Sequence, residues 1–235
     1  MSASAYDPIA RLYDPWSASV TEDVEFYVEE SVAAGGPVVE LACGTGRIAV
    51  PVAKASVRVI GVDGSAAMLD VAREYAAAEG VSELVDLRLG DLREPPVEER
   101  VALVLIPFRS LLHMTTEADR ERALAAARDL LAPGGRLVFD VFAPAKEDID
   151  ATNGRWLERE PGIFERADWD EGERTLTLSV RRGEEASTMH LAWLSALEWR
   201  RLLERAGLEI AAHYGWFDRR PYAGQEDFVY VARRD

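Results

Sequence analysis

Thiol is nearly missing from this chain: Cys43 is the one cysteine in 235 residues. That excludes an internal disulfide framework and fits a reducing compartment, so a cytoplasmic protein is expected. Long apolar runs are missing too. No stretch approaches the ~20 residues that a membrane-spanning helix needs. The opening MSASAYDP has no basic segment leading into an apolar one, so neither a membrane partner nor a secretory leader is expected. Cations are outnumbered by acids, 27 against 42, for a formal net charge of −15. Binding to a nucleic-acid backbone rests on the opposite balance, so no nucleic-acid partner is expected either. Most of the acidic excess reads as solvated surface. Repeats and low-complexity linkers are also lacking.

What is present begins with Val38 to Ala53, VVELACGTGRIAVPVA. An apolar run interrupted by Glu40 meets a glycine turn, Gly44-Thr45-Gly46, and helix-like apolar spacing follows. This predicts a buried strand, a tight turn and a helix starting from that turn. Such a turn lets backbone N–H groups approach a ligand with no β-carbon in the way, and a helix start favours negative charge. A carboxylate or phosphate is the natural guest. Glu40 inside an apolar strand is unusual, because a glutamate is rarely buried without a partner. Cys43 reads as a small packing residue.

Beyond this stretch the pattern alternates. Glu22 to Ala33 has helical spacing; Val57 to Asp63 reads as a strand; Ala66 to about Glu79 reads as a helix capped by Ser65. Val85 to Asp91, Val101 to Phe108 and Arg136 to Phe142 read as strands, with a helix over Thr116 to Leu131 between the last two. Strand–helix alternation implies an α/β fold, a parallel sheet with right-handed crossovers and helices on both faces. The rhythm changes from about Phe164 to Trp193, where three alternating segments separated by turns predict antiparallel strands. Residues 144 to 162 are the least regular. A helix over Ala196 to Ala206 and strands over Leu208 to Phe217 and Asp227 to Arg233 close the chain. The expectation is one domain over 1–235, with N-terminal helices in 1–34 and an antiparallel insertion over 145–193.

In an open parallel sheet a ligand sits beyond the carboxyl ends of the strands, where strand order reverses. Glu40 with Gly44 and Gly46, Asp63, Asp91, and Pro107-Phe108-Arg109 all fall at such ends. Asp63 lies nineteen positions after Gly44, the spacing at which an acid can accept from ribose hydroxyls. Asp91 can accept from an exocyclic amine such as that of adenine. Two ligands fit: a nicotinamide dinucleotide, because Gly44 to Ala49 matches G-x-G-x-x-G/A, and S-adenosylmethionine, which uses all the acids.

Taken together these segments resemble the class I S-adenosylmethionine-dependent methyltransferases, in particular small-molecule members that methylate glycine or amino sugars. VVELACGTGRIA resembles the first family motif, with Glu40 as its acid, Ala42 in place of the first glycine, and Gly44 and Gly46 as the others. VRVIGVDGSAAML resembles the second, with Asp63 and Gly64 at the ribose and Met68 near adenine. Gly90-Asp91-Leu92 resembles the adenine-contacting turn, and Pro107 follows the fourth strand. YDPIARLYD resembles the N-terminal cap, in which Tyr6 and Tyr13 close over the cofactor. The resemblance implies a doubly wound, Rossmann-like sheet of seven strands, the last antiparallel, with S-adenosylmethionine as cofactor. It implies methylation at N or O of a small-molecule substrate. The sequence after the fourth strand lacks the Asn/Asp-Pro-Pro-aromatic mark of base-amine methylation. His113 is the candidate base or substrate-orienting group, and Arg109 the candidate for holding an anionic substrate. The insertion over 145–193 resembles the substrate-covering or dimerising sheet of relatives that methylate glycine or amino sugars, which implies that it covers the substrate side and that two copies could pair across a two-fold axis as a homodimer.

Overall fold

The computed structural model describes residues 4–234. A 3-10 turn over Asp7–Ile9 leads into α1 (Ala10–Trp16), followed by α2 (Glu22–Ala34). Gly35, at φ 69°, ends α2 in the left-handed conformation that glycine tolerates. All four side chains of β1 (Val38–Leu41) are buried, as a central parallel strand covered on both faces requires. Then come α3 (Ala49–Lys54), β2 (Val59–Asp63), α4 (Ala66–Ala78), β3 (Val85–Leu89), β4 (Val101–Ile106), α5 (Glu117–Leu130) and β5 (Leu131–Phe142). Ser65 and Thr116 cap α4 and α5, each accepting a backbone N–H of the first turn.

These strands form one sheet in the order β10-β11-β5-β4-β1-β2-β3, where β10 spans Leu208–Tyr214 and β11 Asp227–Arg234. β1 pairs parallel with both β2 and β4, so strand order reverses between β1 and β4 and a crevice opens at their carboxyl ends. β11 runs antiparallel to both of its neighbours. One face of the sheet packs Phe26 and Tyr27 of α2 over Leu103, Leu105, Val138 and Val229. The other packs Leu124 of α5 and Trp199 of α7 (Ala196–Arg205) over Val104, Ile106, Phe139 and Tyr230.

Between β5 and α7 the chain builds α6 (Lys146–Thr152) and a separate antiparallel sheet, β6 (Trp156–Glu160), β7 (Ile163–Asp170), β8 (Thr175–Arg182) and β9 (Glu185–Ala192). This sheet has four strands where three were expected, because β6 and α6 occupy the stretch read as irregular. Other boundaries differ too: β2 starts at Val59, and β3 and β4 end at Leu89 and Ile106, each two residues short of expectation. α3 starts three residues beyond Gly46, not at the turn. β5 begins at Leu131, five residues early, with a register irregularity where Pro133-Gly134-Gly135 passes β4. β10 stops at Tyr214, after which Trp216 and Phe217 turn back onto the rim. Among the described residues no helix is long and apolar enough to cross a membrane.

Candidate active site at the carboxyl edge

The glycine turn sits in the crevice because Cys43 donates its backbone N–H to the Val62 carbonyl at 3.0 Å, which extends β1 beside β2. Gly44 and Gly46 hold φ of 56° and 81°. Ala42 holds 60° as well, so the residue standing for the first motif glycine adopts a glycine-like conformation against its own β-carbon. Asp63, at the end of β2, accepts the N–H of Gly44 at 2.8 Å through one oxygen and that of Ser65 at 2.8 Å through the other. Burial pushes its pKa up while these two N–H groups pull it down. Met68 packs under the same turn: a β-carbon on Gly44 would stand 3.2 Å from its Cε. Gly64 is exposed beside them.

Glu40 is 2% exposed, and its Oε2 has no hydrogen-bond partner among the described residues. Burial drives the carboxyl well above the ordinary range, with Arg47 and the Ala49 N–H acting the other way. A buried carboxylate lacking a partner is costly unless a cation or donor completes it. It lies one strand end from Asp63, beside the turn. A ligand with an ammonium, a carboxylate and a diol meets what Glu40, the turn and Asp63 respectively leave open, so the residues present fit S-adenosylmethionine.

Asp91 and Leu92 follow β3. The Asp91 carboxylate takes the Arg93 guanidinium at 2.5 Å and the Arg93 N–H at 2.8 Å, which holds its pKa down. Arg93 also reaches Asp119 at 2.6 Å. Any further donor to Asp91 therefore shares it with Arg93. Leu92 packs on the core and Pro107 is buried at the end of β4.

The N-terminal segment lies across this site. Asp7 accepts the Ser65 hydroxyl at 2.5 Å and Asp14 accepts the Thr45 hydroxyl at 2.5 Å. The cap is thus fastened to the two turns that flank Asp63. Tyr6 and Tyr13 meet edge to face at 5.7 Å, and Tyr13 meets Phe108 at 6.2 Å. The Tyr6 hydroxyl lies 2.9 Å from His113 Nε2. Burial lowers the His113 pKa to about 4, opposed by the His190 backbone, so the ring is neutral at neutral pH and Tyr6 donates to it. The insertion closes the other side: Trp16 Nε1 donates to Glu165 of β7 at 3.0 Å, and the Ser187 hydroxyl donates to the Ala5 carbonyl.

Arg109 points away from this cluster. Its guanidinium bonds Asp227 at 2.7 Å and lies over Phe142 at 5.0 Å. It borders a small groove, with a cavity volume of about 40 Å³, lined by Asp23, Phe108, Asp140, Trp216 and Phe217 among others. Among the described residues no cluster of three or more His, Cys, Asp or Glu side chains is placed to hold a metal.

Sequence reasoning passed over the charged layer beneath the site. Asp23, fully buried, binds Arg47 bidentately at 2.8 and 2.5 Å. Asp140, 5% exposed, accepts from Tyr27. One signal was available: Asp140 stands in apolar RLVFDVF as Glu40 stands in VVEL. The tryptophans divide: Trp199 is fully buried and Trp193 nearly so, while Trp156 is 38% exposed.

A methyltransferase-domain profile matches residues 38–135. The solved CcbJ methyltransferase of Streptomyces caelestis is 30% identical, with 99% of this chain and 98% of that one covered at a TM-score of 0.88. The chain belongs to the class I S-adenosylmethionine-dependent methyltransferases. The dinucleotide alternative gives way to that membership. The methyltransferase GfsG of Streptomyces halstedii is 30% identical over 151 residues, 63% of this chain and 51% of GfsG, so the chain spans about half the length of that curated relative. Cypemycin N-terminal methyltransferase, from a Streptomyces species, is 24% identical over 94% of this chain and 90% of its own.

Proposed function

We propose that this methyltransferase moves a methyl group from S-adenosylmethionine to an amine nitrogen of a small molecule. The observation that carries the cofactor assignment is the buried Glu40 carboxylate with its open Oε2 beside the glycine turn. When bound, the cofactor supplies a methyl carbon activated by a sulfonium. Glu40 accepts from its ammonium, the N–H groups of the turn face its carboxylate, Asp63 takes the ribose hydroxyls, and Met68 and Leu92 flank the adenine. Tyr6 and Tyr13 exclude water above it. Aligning nucleophile, carbon and sulfur is the main task, and orientation of this kind supplies up to ~7–11 kcal/mol of a barrier.

Two observations favour nitrogen over oxygen. One of the relatives that match nearly the whole chain is named for N-terminal methylation. His113 Nε2, the candidate base, is already engaged by Tyr6; a neutral amine needs no base, whereas a hydroxyl does. His113 then serves to orient Tyr6, and the Arg109–Asp227 pair forms the rim over which the acceptor enters. The insertion covers the substrate side, and pairing of two copies through its outer edge belongs to the same proposal, checked by light scattering.

Calorimetry with S-adenosylhomocysteine tests the donor site. Transfer of labelled methyl from S-adenosylmethionine to amino sugars and peptide N-termini, against matched hydroxyl analogues, tests the acceptor. Labelling of the hydroxyl analogues alone overturns the choice of nitrogen.

A further inference from the structure

Phe108 and Arg109 are consecutive residues that carry a β-carbon and still hold φ of 54° and 60°. That region is unfavourable for both, because Cβ crowds the following carbonyl. Such strain persists only where surrounding structure fixes it. The fixing group is Asp140 of β5. One of its oxygens accepts the Phe108 N–H at 2.7 Å and the other accepts the Arg109 N–H at 3.0 Å. Successive N–H groups converging on one anion form a nest, here filled by a carboxylate of the protein itself. The Tyr27 hydroxyl adds a third donor at 2.5 Å.

The turn holds the Phe108 ring between two parts of the site. The Arg47 guanidinium lies over the ring at 4.4 Å and the Tyr13 ring meets it at 6.2 Å. The groove at the ends of β4, β5 and β11 lies against the same residue. Phe108 is therefore the partition between the glycine turn and the groove. We propose that Asp140 is a positioning residue whose carboxylate holds the Phe108–Arg109 turn in its strained form and so sets the Phe108 ring as the wall between methyl donor and acceptor.

This rests on the methyl-transfer reading for what the wall separates, but not for what holds it. Only an acceptor-only group suits the role: an asparagine would turn its NH2 toward one of the two N–H groups. The cost of the buried charge is visible. Burial raises the Asp140 pKa to about 6, with Asp23 acting in the same direction, while Tyr27, Arg109 and the Phe108 N–H oppose it. Arg47, in the turn just before α3, is a further charge that acts on Asp140. A protonated carboxyl offers one amide a donor, so the hold loosens as pH falls through about 6.

Fluorine NMR on protein labelled with para-fluorophenylalanine reads the ring directly, the Phe108 line being the one lost in Phe108→Leu. In the unaltered protein that line moves as pH falls, with a midpoint near 6. In Asp140→Asn it is displaced at neutral pH and has lost that midpoint. Arg109→Gly in the Asp140→Asn background brings it back toward its normal position, because glycine takes positive φ without strain. Tyr27→Phe leaves the nest intact but removes a donor that favours the charge, so its midpoint moves upward; this variant decides the matter even where Asp140→Asn fails to fold. An unmoved Phe108 line in Asp140→Asn, or an unchanged midpoint in Tyr27→Phe, overturns the proposal. Failure of the unaltered protein to bind S-adenosylhomocysteine overturns the methyl-transfer reading instead, and leaves the NMR result to stand alone.

Discussion

Single carboxylates decide what the crevice accepts. Asp63 faces the turn with both oxygens bonded to backbone N–H groups, and Asp63→Ala removes both bonds along with the proposed ribose acceptor. S-adenosylhomocysteine binding is expected to weaken by about 2 kcal/mol, roughly 30-fold, by calorimetry; undiminished affinity would remove Asp63 from the donor site. His113 gives a pH signature. Its folded pKa of about 4 lies below the ordinary 6.5, so the unfolded chain binds a proton that the native protein refuses between those values. Stability from this group is full above about 6.5 and is lost as pH falls toward 4. His113→Asn should therefore lose less stability than the unaltered protein between neutral pH and about 5, by denaturant titration at each pH. Glu40 and Asp63 were legible because acids in apolar strands and at strand ends are anomalies that a spacing rule can find. Asp140 and its partner Tyr27 lie 113 positions apart, and no local spacing joins them. The same holds for Tyr6 and His113, 107 positions apart.

Elements follow the same division. The sheet strands were legible because buried parallel strands are apolar throughout and are bounded by glycine and proline. β6, W-L-E-R-E, was not: it is short and largely exposed, so its pattern carries little of the alternation that marks a half-buried strand. The start of α3 was misplaced because the glycine turn needs three more residues to reach helical geometry. Crowding makes that turn testable. A β-carbon at Gly46 would meet Val50 Cγ2 at 3.2 Å and Ala72 Cβ at 3.3 Å, at φ 81°. Gly46→Ala combines backbone strain with overpacking between α3 and α4, and should cost about 2–3 kcal/mol. The melting temperature should fall by about 4–12 °C in calorimetric scans, and a shift within error would mean that the turn adapts.

At the scale of the molecule, the donor crevice is roofed by two covers of different origin, the N-terminal segment and the four-stranded insertion. The first is tied down by Ser65 and Thr45 through Asp7 and Asp14, so it must lift for a ligand to reach Asp63. Hydrogen exchange at residues 6–16 should slow by at least about tenfold when S-adenosylhomocysteine binds, while β1 and β4 change little; equal protection with and without ligand would mean that the segment never lifts. The covers are also tied to each other, through Trp16 to Glu165 and through Tyr6 to His113, which rests against β9. Lifting one therefore disturbs the other, and Tyr13 of the N-terminal segment meets Phe108 only while that segment is closed. On the proposed methyl-transfer reading this predicts an ordered sequence of binding: methyl donor first, acceptor second, and the demethylated donor last to leave. Product-inhibition plots should accordingly be competitive for S-adenosylhomocysteine against the donor and noncompetitive against the acceptor.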